Sequence, residues 1–102
     1  MTLPQPDGPG WPFADPPDTA VFTVGAVLSG AAILHVQHDE EDGAWQFLDG
    51  SDASYTEARV VPLAELVGLD PSVADLADLP LGWQATRASP HQAWVREPQP
   101  PV

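Results

Sequence analysis

Residues 31–50 read AAILHVQHDEEDGAWQFLDG, and the alternation on either side of the acidic run decides the fold. Leu34, Val36 and His38 fall on one face of an extended segment and Ile33, His35 and Gln37 on the other, which predicts a strand over residues 31–38. Four consecutive acids, Asp39, Glu40, Glu41 and Asp42, then lead into Gly43, the residue type that takes a positive φ without steric cost. Residues 39–43 therefore read as a hairpin loop, and residues 44–48, AWQFL, return as a strand that stops at the Asp49-Gly50 turn. Upstream, residues 21–28, VFTVGAVL, are rich in β-branched and aromatic residues and run into Ser29-Gly30, which predicts another strand and a tight turn. On this pattern the three strands form an antiparallel meander.

Downstream, the polar composition of residues 51–57 predicts a mobile loop, and Val60-Val61 a short edge strand. Leu63, Leu66 and Val67 then recur at helical spacing, with Pro62 suited to a first turn and Gly68 to a stop. Asp70-Pro71 signals a second short helix, an N-cap aspartate followed by proline at the first helical position, with Val73, Leu76 and Ala77 as its apolar face. Residues 83–89, WQATRAS, alternate so that Trp83, Ala85 and Arg87 share a face; a turn at Pro90-His91-Gln92 leads to a last strand at residues 93–96. Strands, then helices, then strands give an α+β domain: an antiparallel sheet of about five or six short strands with two short helices on one face.

The two ends look different from this body. Residues 1–20 carry six prolines and residues 97–102 three more, so the expected organisation is a flexible Pro/Gly/Asp-rich tail over 1–20, a single domain over 21–97, and a flexible C-terminal tail over 98–102. Trp11 and Phe13 are the exceptions in the first tail, two aromatics able to dock on the domain or on a partner. About 76 residues remain for a core, a size at which only about 60% of the unfolded chain's surface is buried and stability is modest.

Fifteen acids oppose three arginines in a chain without lysine, a formal charge of -12. Nucleic-acid binding depends on cations that displace counterions from phosphates, so neither nucleic acid nor an anionic membrane surface is an expected partner. A basic protein is the electrostatically easy encounter, although acidity also serves solubility alone. The absence of cysteine excludes disulfides and thiolate metal sites and fits a reducing cytoplasm. The longest apolar stretch, residues 20–34, is interrupted by Thr23, Gly25, Ser29 and Gly30 and is too short to span a bilayer; with no basic residue before it, it does not resemble a signal peptide.

His35 and His38, followed by four acids, invite a metal, but strand alternation sends the two imidazoles to opposite faces and zinc requires at least three converging ligands. An EF-hand opening at Asp39 fails too, because Ala44 would stand at its glycine position and Gly50 at its glutamate position. Paired carboxylates act as general acid and base only when one is desolvated, and adjacent acids in a turn are mostly in water. Asp49 and Asp52 read as turn formers. The chain contains no GxSxG, no GxxxxGK[ST], no HExxH and no cysteine nucleophile. The expectation is a non-enzymatic domain without metal or cofactor.

Trp45, Trp83 and Trp94 fall in predicted strands and are first of all core, each able to bury some 150 to 250 Å². Arg59, Arg87 and Arg96 are expected to pair with carboxylates inside the chain. Aromatics beside charges are also the make-up of binding hot spots. If the chain has an interface, its expected residues are Asp39, Glu40, Glu41, Asp42 and Trp45.

Four segments carry a resemblance to a family: ILHVQHDEEDGAWQFLDG at 33–50, RVVPLAELVGLDPSVADLADLPLGW at 59–83, the strand containing Arg87, and AWVREP at 93–98. Together they resemble a bacterial family of small uncharacterised domains related to immunity-protein-like proteins of toxin systems. The resemblance implies a non-enzymatic role, and the charge makes neutralisation of a basic toxin physically sensible, since acidic partners reach cationic proteins faster. The competing expectation is a small intracellular adaptor or ligand-binding module with no link to toxins.

Overall fold

A computed structural model of the chain describes residues 11–50 and 58–100; the loop expected at 51–57 lies outside the described residues, as do residues 1–10 and 101–102. Six strands form one sheet in the order β4-β1-β3-β2-β5-β6, with β1 at Ala20–Val24, β2 at His35–His38, β3 at Trp45–Leu48, β4 at Ala58–Pro62, β5 at Trp83–Thr86 and β6 at Val95–Pro98. A helical turn, α1 (Gly25–Leu28), follows β1, a helix, α2 (Leu63–Leu69), follows β4, and a 3-10 helix spans Pro71–Leu76. The α+β class and the strand number agree with the sequence pattern. The purely antiparallel meander does not.

The sheet is mixed because β1 runs parallel to β3, Phe22 opposite Gln46 and Thr23 opposite Phe47, with its other edge antiparallel to β4. β1 and β2 are therefore not a hairpin. The reason lies in residues 24–33, where Val24, Val27 and Ile33 are all buried. A strand of period two cannot send both Val24 and Val27 inward, whereas a helical turn, with its i, i+3 spacing, does. Ser29-Gly30, expected as a hairpin turn, is the stop of that helical turn: Gly30 has φ 114, its N–H donates to the Val27 carbonyl, and the Ala31 N–H donates back to the Ala26 carbonyl. That bond pair is a Schellman motif. The strand expected over 31–38 is shortened to its last four residues as a consequence.

The hairpin itself stands as expected: β2 and β3 pair antiparallel from His35 opposite Leu48 to His38 opposite Trp45. β5 joins β2 antiparallel and β6 closes the far edge, starting two residues later than the alternation suggested. Both helices come from the expected segments. Leu63 and Leu66 of α2, and Val73 and Leu76 of the 3-10 helix, are fully buried against the face that carries Val21, Val36, Phe47 and Ala85. Asp70 caps the 3-10 helix as a cap aspartate should, its Oδ1 accepting from the Ser72 N–H at 3.1 Å and the Ser72 hydroxyl at 2.6 Å.

The boundaries of the body are wider than composition indicated. Described residues before 21 already pack on the body: Phe13 is 4% exposed in the core, and the Leu63 and Ala64 N–H groups donate to the Thr19 and Pro17 carbonyls at 2.8 and 2.9 Å. Proline-rich sequence has few backbone donors to lose, so it can lie along the first turn of α2 and satisfy that turn's free N–H groups with its carbonyls. At the other end Pro98 belongs to β6, and the Gln99 N–H donates to the Gly82 carbonyl at 2.8 Å.

Arg87 lies in the core and spends all five of its N–H donors. Nε and Nη2 donate to the Ile33 carbonyl at 3.0 and 2.9 Å, Nη2 also to Asp70 Oδ2 at 2.8 Å, and Nη1 to Ser72 Oγ at 3.0 Å and the Pro90 carbonyl at 3.4 Å. Its guanidinium carbon sits 4.1 Å from the centre of the Trp94 ring, a cation–π contact. Arg96 makes the other ion pair among the described residues, with exposed Asp78 at 2.7 Å; that hydrogen bond first, and the arginine's charge second, hold the Asp78 carboxyl below the ordinary carboxylate range. Among the described residues no helix is long and apolar enough to cross a membrane.

Truncating Arg87 strands the Ile33 carbonyl and the half-buried Asp70 carboxylate together. Arg87→Ala is expected to cost about 3 kcal/mol of unfolding free energy, in the range for breaking a buried ion pair from one side. Urea denaturation followed by tryptophan fluorescence measures it, and Arg87→Lys, which keeps the charge but not the fork, should recover less than half of the loss.

Candidate functional site

The acidic run is a turn closed by its own hydrogen bonds. The Asp39 N–H donates to the Ala44 carbonyl at 2.8 Å and the Gly43 N–H to the Asp39 carbonyl at 2.9 Å, which requires Gly43 to adopt its φ of 73. Two of the four acids are committed to holding this shape. Asp42 Oδ1 accepts from the Ala44 N–H at 3.0 Å, and the Asp39 carboxylate accepts from the side-chain amides of Gln46 at 2.7 Å and Gln99 at 3.3 Å. The Glu40 side chain lies over Gly82, where a Cβ would come within 3.3 Å of its Oε2 and where the backbone φ of 79 already demands glycine. Glu41 is exposed.

Trp45, the fifth residue expected at an interface, does not reach the surface. It is 2% exposed, with its indole N–H donating to Asp15 Oδ2 at 2.9 Å, the His38 ring stacked on it at 3.8 Å, and Phe13 edge-on at 5.3 Å. The cause is the alternation of β3, which places Trp45 on the same face as buried Phe47, combined with the docking of residues 11–15 over the end of that face. The aromatic beside the acids is instead Trp83, half-buried at the start of β5 opposite His38.

Between the hairpin turn and the β5–β6 end runs an open groove of ≈ 910 Å³. Residues 39–42 line it together with Leu81, Trp83 and Pro98, which contribute apolar surface beside the acids, with Leu81 52% exposed. The groove thus sets carboxylates against an apolar ledge, an arrangement that suits a side chain with an aliphatic stem and a cationic head. Composition and local pattern missed Leu81, Gly82, Trp83 and Gln99, since only the pairing of β5 with β2 brings them to the turn; the one local signal was glycine directly before a tryptophan-led strand.

The two histidines are separated as strand alternation requires. His38 faces the core, where its Nδ1 must carry the proton because it lies 2.7 Å from the Leu79 carbonyl, which can only accept. His35 is on the opposite face, its Nε2 3.1 Å from Gln84 Oε1, while the amide nitrogen of Gln84 donates to Glu97. Among the described residues no three His, Asp or Glu side chains converge in a way that could hold a metal ion. A smaller hollow of ≈ 240 Å³ beside Gly30, Ile33 and Leu69 is mainly apolar, and its one acid, Asp70, is occupied by Arg87.

Comparison of the chain with protein-family models, with curated proteins and with solved structures finds no match in any of the three.

The division among the acids can be measured. Asp39→Ala removes the acceptor of two side-chain amides and is expected to cost about 1 kcal/mol, while Glu41→Gln should leave the urea midpoint unchanged. Equal effects of the two substitutions would contradict a turn held by Asp39.

Proposed function

We propose that the chain is a non-enzymatic, acidic protein-binding domain that receives a basic segment of its partner in the groove between the hairpin turn and the β5–β6 end. The observation that carries this reading is the juxtaposition of Glu40, Glu41 and Asp42 with the apolar ledge of Leu81 and Trp83 across one open groove. A partner arginine or lysine laid there places its stem on the ledge and its charge among carboxylates. The net charge of -12 adds long-range attraction for a cationic partner and speeds the encounter. A turn held by its own hydrogen bonds lowers the cost of ordering on binding.

Neutralisation of a basic toxin, as in immunity-type proteins, is the narrower form of this proposal; the resemblance of the four sequence segments supports it, and growth rescue on co-expression with a neighbouring toxin gene tests it. The broader form is tested with a fluorescein-labelled nonaarginine peptide titrated with the full chain by fluorescence anisotropy. Binding is expected to weaken at least about tenfold between 50 and 500 mM salt, as surface charge pairs are screened. It should weaken again, by about tenfold, in Glu40→Lys/Glu41→Lys, while the charge-matched control Glu65→Lys/Asp75→Lys, at exposed positions on the helices, has a smaller effect. Equal losses from the two reversals would mean that net charge alone attracts the peptide and that the groove does not bind it.

A further inference from the structure

Among the described residues no further strand pairs with β4 or β6, the two outer strands of the sheet, and the backbone shows which groups each presents outward. In an antiparallel pair, residues alternate between pointing both backbone groups at the neighbour and pointing both away. The Leu63 N–H donates to the Thr19 carbonyl in the register of the β1–β4 pair, so Leu63, Val61 and Arg59 face β1, and Pro62, Val60 and Ala58 face outward. The same step along β6, from the Gln99 N–H on the Gly82 carbonyl, turns Glu97 and Val95 toward β5 and Pro98 and Arg96 outward. Each edge strand ends on a proline whose missing N–H would have faced away from the sheet, the position in a strand where proline costs no ladder bond.

The two edges are otherwise unequal. β6 carries Arg96, paired with Asp78, and Glu97, and charges on an edge discourage strand addition. β4 reads ARVVP, without an acid in a chain of fifteen, and Val60 is 61% exposed on the sheet face opposite the helices. Its neighbour in register there is Phe22, 41% exposed.

We propose that β4 is a self-pairing edge, joining two copies of this chain antiparallel about a twofold axis at Val60 into one continuous twelve-stranded sheet. In that register each Val60 N–H donates to the Val60 carbonyl of the other copy, and each Ala58 N–H to the carbonyl of Pro62. All outward N–H groups of the strand are used, and the Ala58 carbonyl, which meets the proline that lacks a donor, already accepts from Arg59 Nη1 at 3.0 Å. A twofold axis one residue earlier forms as many bonds but sets Arg59 directly against Arg59 at a Cα separation of about 4.5 Å, where like charges repel. With the axis at Val60, Arg59 meets Val61. The side chains on the open face then form an apolar row across the seam, Phe22, Val60, Val60 and Phe22. Charge selects a second copy for this place: Ala58–Pro62 carries one of the chain's three arginines and no acid, so two molecules of charge -12 meet here with no carboxylate of either seam strand opposed.

A five-residue seam lies at the low end of specific interfaces, so the dimer is weak, with a dissociation constant on the order of 100 µM. It tightens as salt screens the repulsion between two acidic bodies, opposite to the salt response of the groove. The two proposals are independent, because the groove lies at the β5–β6 side and β4 is the opposite edge.

The test is sedimentation velocity on the full chain over a concentration series spanning that constant, with a dilution series of amide NMR spectra. The wild type should pass from monomer to dimer, more readily at high salt, with the Ala58 and Val60 amides shifting and gaining exchange protection on association. Arg59 and Val61 should change less. Val60→Pro removes the two central bonds without touching the β1–β4 ladder and should raise the dissociation constant at least about tenfold. If circular dichroism shows that this variant does not fold, Val60→Lys, which opposes two cations at the axis, decides with the same expected loss. A wild type that stays monomeric throughout overturns the proposal, as does a dimer that the folded variants leave intact. Protection of Ala58 and Val60 by an added strand-forming peptide alone would assign the edge to a different chain and also overturn it.

Discussion

The guanidinium of Arg87 is the constraint on which the arrangement of the other parts depends. One planar group binds the crossover after α1 through Ile33, the start of the 3-10 helix through Asp70 and Ser72, and the turn before β6 through Pro90, and it lies against Trp94. A buried cation is costly unless every donor is used and a counter-charge is present. Here both conditions hold, and Asp70 meets the second while capping its own helix. The geometry of this one cluster therefore ties three segments distant in sequence to one another. In a domain with so small a core, a buried guanidinium with every donor used contributes specificity that apolar packing alone does not.

That cluster also explains which parts of the fold were legible in the sequence. Elements governed by local rules were read correctly: the β2–β3 hairpin by alternation and Gly43, α2 by its leucine spacing, and the 3-10 helix by Asp70-Pro71. The elements misread were those whose conformation is set by distant partners. Residues 25–34 have strand-forming composition, yet Val27 and Ile33 must reach the core and the Ile33 carbonyl must meet Arg87, so the chain leaves the sheet through a helical turn. Ser29-Gly30 is chemically suited to a hairpin turn and to a Schellman stop alike. Only the packing distinguishes them. The parallel pairing of β1 with β3 follows from that excursion and has no local signature.

The acidic turn is visible at once as four adjacent acids, but the rest of the groove it lines is half hidden. Carboxylates in a run look equivalent in sequence, whereas the folded turn separates Asp39 and Asp42, which hold the backbone and the Gln46 and Gln99 amides, from Glu41, which is exposed. The expected aromatic partner was the nearest tryptophan in sequence, Trp45, and alternation in β3 buries it. The ledge actually facing the acids arrives from residues 81–83, some forty positions along the chain, by way of the β2–β5 register.

The lead sequence, which composition marks as a tail, packs over the stems of the acidic turn. Trp45 anchors the strand that leaves the acidic turn, and its indole N–H is satisfied only because Asp15 is brought over it by Phe13, which is itself buried against the same ring. The His38 ring, at the end of the strand that enters the turn, closes the other side of the stack and is tied to Leu79, two residues before the ledge at Leu81. Both stems of the turn and the approach to the ledge thus share one aromatic stack roofed by residues 11–15. A surface that presents charge on a fixed turn loses less entropy on binding than one that presents the same charge on a mobile loop. The prolines of the lead lower the cost of this packing, since a chain with restricted φ loses little freedom when it is laid across the stack.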